Sequence, residues 1–153
     1  MDNLPYGEEI NYWMTSRSDP DTWIAKARKQ IETIGGQIIA EAFGQEATTG
    51  KSAFMLTFSI QDELYKIIWP VLPTEGKDKR RAAKIQAATM LYHDVKAICI
   101  SSRVLGPRAV FFSFFVLPDG RTMGEIPTPE LGQIIPNLFA LPEKTNGGRY
   151  IDG

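Results

Sequence analysis

The chain has only one cysteine and one histidine among its 153 residues, and these scarcities exclude several classes of protein. A single cysteine cannot form a disulfide within the chain, and one cysteine with one histidine leaves too few ligands for a structural zinc site. No apolar run approaches the length of a membrane span, and the acidic N-terminal segment does not resemble a signal peptide. We therefore expect a cytoplasmic protein with no membrane segment, no metal and no cofactor.

The composition that remains is typical of a folded domain, since 43% of the residues are apolar and 23% are charged. A chain of this length is expected to form one domain with a sizeable core. We predict an irregular N-terminal arm over residues 1–18, a single domain over residues 19–140 and a flexible tail over residues 141–153.

The first half of the domain predicts one helix and three strands. Asp19 before Pro20 is typical of an N-cap followed by proline at the first helical position, and the glycine pair at 35–36 ends the helix. Residues 37–43 form a short apolar run, residues 53–60 alternate between two faces, and residues 64–69 are rich in β-branched and aromatic side chains.

The second half predicts a long helix over residues 76–105, because apolar side chains recur there at spacings of three and four. A strand over residues 109–117 and a short returning strand over residues 122–126 follow as a hairpin, and a short helix begins at residue 128. The predicted fold class is α+β: an antiparallel sheet of three strands, the long helix packed across one face, then a two-strand hairpin.

The pattern of residues does not indicate an enzyme active site. Cys99 falls on the apolar stripe of the long helix, whereas His93 points about 120° away, so the two cannot form a nucleophile–base pair. Asp62 and Glu63 offer carboxylates at a turn, which leaves a carboxylate–metal phosphoesterase as a remote alternative. We predict no catalytic residue, and a non-enzymatic protein is the favoured interpretation.

The least ordinary feature is a cationic segment at the start of the long helix. Residues 76–108 carry eight cationic and two acidic side chains, whereas residues 1–75 carry six and eleven. Cations in the first turn oppose the helix macrodipole, so local stability does not explain them. A phosphate backbone is one natural partner. The predicted anion-binding residues are Lys77, Lys79, Arg80, Arg81 and Lys84, with Arg103 and Arg108 extending the surface at the other end.

Two further sets of side chains accompany this prediction. Tyr65 and Trp69 share one strand face and are the candidate platforms for base stacking. Small residues on a second face of the long helix permit close approach by another helix, either from the N-terminal segment or from a second subunit. This predicted interface comprises Ala83, Ala87, Met90, Asp94 and Ala97.

The predicted order of three strands followed by a long helix resembles the core of the single-strand annealing proteins. That resemblance lies in topology, and no residue role is carried over from it. The leading hypothesis is a small nucleic-acid-associated protein, possible functions being single-strand binding or annealing. The alternative is a protein-interaction module or inhibitor whose cations meet an acidic protein surface, with homo-oligomerisation through the alanine-rich face.

Overall fold

The computed structural model describes residues 3–45 and 49–126, in which a three-stranded antiparallel sheet packs against helices. The helices and strands, in chain order, are α1 (Pro20–Thr33), β1 (Gln37–Gln45), β2 (Ser52–Ile60), β3 (Glu63–Pro70), α2 (Arg80–Leu105) and α3 (Pro107–Phe111). The strand order is β1-β2-β3, and the long helix α2 packs against the sheet. The predicted α+β fold is confirmed.

Helix α1 begins and ends where its sequence signals lie. Pro20 occupies the first helical position after Asp19, whose backbone is extended. At the other end Gly35 adopts a φ of +84°, and the N–H of Gly36 donates to the carbonyl of Ile31 at 3.0 Å. This is the Schellman arrangement, which favours glycine because a side chain at a positive φ is strained.

The central strand β2 separates a buried face from a partly exposed one. Its alternate side chains Phe54, Leu56, Phe58 and Ile60 are buried, as the period-two pattern predicts. Phe43 of β1 is the partner of Phe54, which in turn is opposite Trp69 of β3. Three aromatic side chains therefore form one row across the inner face of the sheet.

The link between β2 and β3 is a tight two-residue turn. Gln61 and Asp62 have φ values of 52° and 64°, and Ile60 pairs directly with Glu63 on either side of them. Two successive positive φ values define the type I′ turn, whose twist matches that of a hairpin. The turn predicted around Asp62 is confirmed, although neither Gln61 nor Asp62 is the glycine that this geometry prefers.

Helix α2 starts at Arg80, four residues later than predicted, because Asp78 adopts a φ of +60° that interrupts helical geometry. It ends at Leu105, where Gly106 with a φ of +87° and Pro107 stop it. Its core stripe includes Cys99, as predicted, together with Ala88, Val95 and Ser102. Side chains flanking this stripe are also buried, because helix α1 packs along α2 beside the sheet.

The prediction of a hairpin over residues 109–126 is wrong for its first strand. Pro107 begins α3 instead, a 3-10 turn over Phe112–Phe114 follows, and only isolated bridges join Tyr65 to Phe115 and Val116 to Thr122. A proline after the Gly106 break is well placed to start a new helix. The run of phenylalanines suits this geometry, since Phe111 reaches the core with Phe114 and Phe115 packed against it at helical spacing.

The N-terminal arm contains one 3-10 turn, Gly7–Glu9, within its described part. The predicted final helix and tail, from residue 128 onward, lie outside the described residues, and the domain boundaries remain predictions. Among residues 3–45 and 49–126, no helix is both long enough and apolar enough to cross a membrane.

Candidate nucleic-acid interface

A groove lies where the start of α2 faces the adjoining ends of β1 and β2. It encloses about 590 Å³ and is walled on one side by residues 71–74, with Leu4 of the arm also contributing. Four cationic side chains line it: Lys51, Arg80, Arg81 and Lys84. No carboxylate is among the described residues that line this groove. The cationic segment recognised in the sequence thus contributes three side chains to one concave surface, and Lys51 adds a fourth from another element.

Among these cations, Lys84 has the best-defined side-chain position, because its ammonium group lies over an aromatic ring. Its Nζ is 4.0 Å from the centre of the Phe43 ring and 5.9 Å from that of Phe54. Attraction between an ammonium group and the face of a ring holds the side chain at the edge of the sheet. Arg80 on the same helix is exposed and makes no ion pair with the described residues.

Arg81 is shared between the groove and the start of α1. Its Nη2 donates to Oδ1 of Asp19, and both side chains are 68% exposed, so water screens the pair and it adds little stability. An exposed ion pair of this kind can open when a stronger anion arrives. Asp19 therefore orients Arg81 without neutralising the groove permanently.

The wall of the groove is held by the N-terminal arm. The Gly7 N–H donates to the Pro73 carbonyl at 2.8 Å, and the carboxylate of Glu8 accepts from the backbone N–H groups of Gly76 at 2.9 Å and Glu75 at 3.2 Å. The hydrogen bond from Gly76 is the main cause that lowers the pKa of the Glu8 carboxyl. The arm and the segment before α2 are thereby joined by one main-chain hydrogen bond and by two hydrogen bonds from main-chain N–H groups to the Glu8 carboxylate.

A buried glutamine anchors the arm from the α2 side. Gln86 is 0% exposed, and its Nε2 lies 2.8, 3.1 and 3.0 Å from the carbonyl oxygens of Gly7, Ile10 and Asn11. Its Oε1 has no hydrogen-bond partner among the described residues. A Cβ at Gly7 would lie 2.8 Å from that oxygen, so only glycine permits this close approach. Sequence reasoning did not identify Gln86, because its partners lie 75 to 79 residues away.

The other predicted anion-binding residues lie outside the groove. Lys77 and Lys79 precede the helix, and Lys79 packs toward Gly76 near the Glu8 carboxylate. Arg103 is about 35 Å from Arg80 along the axis of α2, at 1.5 Å of rise per residue. Arg108 Nε is 3.2 Å from Oε2 of Glu63, so it has an anionic partner already. The two ends of α2 therefore do not form one continuous site.

Burial corrects one of the two predicted stacking residues, Tyr65, whereas the prediction for Trp69 stays a prediction. Tyr65 is 1% exposed and packs between Phe58 and Phe111, so it offers no ring to a ligand. Trp69 is partly buried against the same core. Both face inward because β3 directs these alternate positions toward α2. The exposed ring beside the cations belongs to Phe43, which sequence reasoning missed because it is 41 residues from Lys84.

The predicted interface on α2 is partly occupied by the chain itself. Ala83 is 1% exposed and Ala87 is 0% exposed, so neither alanine is available to a second subunit. The N-terminal arm, one of the two partners considered, contacts the helix next to Ala87 through Gln86. Met90, Asp94 and Ala97 remain at least partly exposed, and burial raises the pKa of the Asp94 carboxyl.

The structure keeps the possible catalytic groups apart. Cys99 lies in the core, and burial raises the pKa of its thiol to about 11, which opposes formation of the nucleophilic thiolate. His93 stacks on Tyr12, with ring centres 4.8 Å apart. Asp62 is exposed in the β2–β3 turn, and the described residues contain no cluster of three or more side chains suited to hold a metal ion.

Comparison of the chain with protein-family models, with curated proteins and with solved structures gives no match. The groove itself is therefore the feature that bears on function.

Proposed function

We propose that this is a small non-enzymatic protein that associates with nucleic acid and contacts phosphates through the groove at the start of α2. The observation that supports this is the lining: Lys51, Arg80, Arg81 and Lys84 converge there, and the described lining residues include no carboxylate. Each phosphate neutralised by such a cation releases a counterion and strengthens binding in a salt-dependent way.

The start of α2 adds a second favourable element for an anion. The residue before the helix, Lys79, makes no side-chain capping bond to the first turn, and that turn contains no acidic side chain. The first N–H groups of a helix have no intrahelical acceptor, and the macrodipole there is positive. An incoming phosphate can accept from these groups and offset the repulsion among the cations.

The concave form of the groove favours a narrow anionic chain over a flat protein surface. Guanidinium groups at positions 80 and 81 can bind phosphate oxygens in bidentate fashion, and Lys84 supplies a point charge. Contacts limited to phosphates orient a strand but carry no sequence information. Binding is therefore expected to be weak, salt-sensitive and largely independent of base sequence.

Fluorescence anisotropy with labelled single- and double-stranded oligonucleotides at about 50 mM salt tests the proposal. The wild-type protein should bind, and Arg80→Glu with Lys84→Glu should abolish binding while circular dichroism shows that the fold is retained. The matched control is Lys96→Glu with Arg103→Glu, which changes the net charge equally at exposed positions on the same helix. The control should bind almost as the wild type does.

The proposal fails if neither form of nucleic acid binds, or if the groove and control variants weaken binding equally. An acidic protein retained by the groove after nuclease treatment, together with no oligonucleotide binding, would instead support the protein-interaction module. Phosphoester hydrolysis that requires Mg²⁺ and is lost in Asp62→Asn would support the carboxylate–metal enzyme.

A further inference from the structure

Phe43 is an aromatic side chain that the fold leaves open beside the cations. It is 41% exposed on β1, an edge strand of the sheet, and it lines the groove together with Lys84. Its ring is supported from the sheet by Phe54, with ring centres 4.8 Å apart and planes inclined by 56°. A large apolar ring exposed at the wall of a cationic groove has no evident role in the core.

We infer that Phe43 is a base-stacking residue and that the groove accepts single-stranded rather than double-stranded nucleic acid. This inference rests on the function proposed above. An aromatic ring can stack on the face of any base, so it adds affinity without requiring a particular sequence. The phosphate-binding cations lie next to the ring, as one nucleotide with its phosphate would require.

Lys84 connects the two halves of such a site. In the free protein its Nζ lies 4.0 Å from the ring centre and covers a face of Phe43. A base that stacks on this face displaces the ammonium group, which then moves to a neighbouring phosphate. One cation–π contact is exchanged for a base–aromatic stack and a charge-assisted contact, so the displaced Lys84 keeps a favourable partner in the complex.

The size and shape of the groove favour an unpaired strand. A volume of about 590 Å³ suits a ligand with the dimensions of one or two nucleotides. The bases of a duplex are already stacked on each other, and exposing one costs a few kcal/mol. A duplex could reach the cations with its phosphates but could not place a base on Phe43.

The test compares Phe43→Leu with Phe43→Tyr and measures binding to a single strand, to the same strand with its bases removed, and to a duplex. Phe43→Leu should weaken single-strand binding by roughly 5- to 150-fold, the range for loss of one base–aromatic stack. Phe43→Tyr should retain binding because it keeps the ring. Ile39→Leu is the matched control, since it changes another exposed apolar side chain on β1.

The abasic strand separates stacking from loss of structure. Phe43→Leu should leave its weak binding unchanged, whereas a variant with a distorted groove would bind the abasic strand less well too. The inference is overturned if Phe43→Leu binds the base-containing strand as the wild type does, or if the wild type prefers the duplex. Absence of binding to all three ligands would instead overturn the proposed function, so the two failures are distinguishable.

Discussion

Replacement of Gln86 by glutamate is a demanding test of how the arm is held against α2. The wild-type Nε2 faces the carbonyl oxygens of Gly7, Ile10 and Asn11 at 2.8 to 3.1 Å. An amide nitrogen has two protons, so it satisfies two of these acceptors fully at any moment. Gln86→Glu changes the shape of the side chain very little but replaces both donors by an acceptor.

The expected loss of stability follows from two contributions. Two hydrogen bonds contribute about 2 kcal/mol at the usual net value of about 1 kcal/mol each. A carboxylate in a fully buried site that faces carbonyl oxygens also lacks any compensating charge, which brings the total to about 3–5 kcal/mol at neutral pH. Urea denaturation followed by circular dichroism measures this difference, and Gln37→Glu at an exposed position of β1 is the control.

The pH dependence distinguishes this cause from a loss of packing. Burial without a partner raises the folded-state pKa of the introduced carboxyl above its unfolded value, so the folded variant binds the proton more tightly than the unfolded chain does. Its stability should therefore increase as the pH falls, by up to about 1.4 kcal/mol per pH unit between the two pKa values. A Gln86→Glu variant within about 1 kcal/mol of the wild type and insensitive to pH would show that the amide donors of Gln86 do not hold the arm.

Two further predictions concern the core and the hairpin turn. Burial raises the pKa of the Cys99 thiol to about 11, above its ordinary value near 9. As the pH rises, this thiol therefore loses its proton in the unfolded chain before it does so in the folded protein. Ionisation of Cys99 should thus lower the free energy of unfolding above about pH 9. Cys99→Ala should flatten that decline in denaturation curves, and a wild-type thiol that reacts with a disulfide reagent at the rate of the unfolded chain would contradict the burial. Gln61→Asn with Asp62→Gly places the preferred residues in the type I′ turn and should raise the free energy of unfolding by about 1 kcal/mol; an unchanged urea midpoint would show that the turn is not strained.

The fold was predictable wherever one local signal dominated. The alternating pattern around Phe54 identified β2, and Pro20 and the glycine pair at 35–36 identified the limits of α1. The segment after Gly106 was not predictable, because its phenylalanines suit a buried strand and a short helix equally well. Packing against Tyr65 and the sheet selects the helix, and that contact is formed between residues distant in sequence.

The charges of the candidate site were predictable in part, and its geometry was not. The cationic segment at the start of α2 predicted Arg80, Arg81 and Lys84, whereas Lys51 comes from another part of the chain and was not predicted. The choice of aromatic residue depends on which face of the sheet α2 covers, and that face buries Tyr65 while leaving Phe43 at the edge. Pairings across the chain, such as that of Gln86 with the arm, leave no periodic signal in the sequence.

The salt dependence of single-strand binding measures how many phosphates the groove cations contact. Four phosphate contacts by the groove cations give a slope of log K against log salt concentration of about −2.8, at about −0.7 per contact. Arg80→Ala with Lys84→Ala removes two contacts and should make the slope shallower by about 1.4, whereas Lys96→Ala with Arg103→Ala should leave it unchanged. A slope that is the same in the wild type and in both double variants would show that the groove does not contact phosphates.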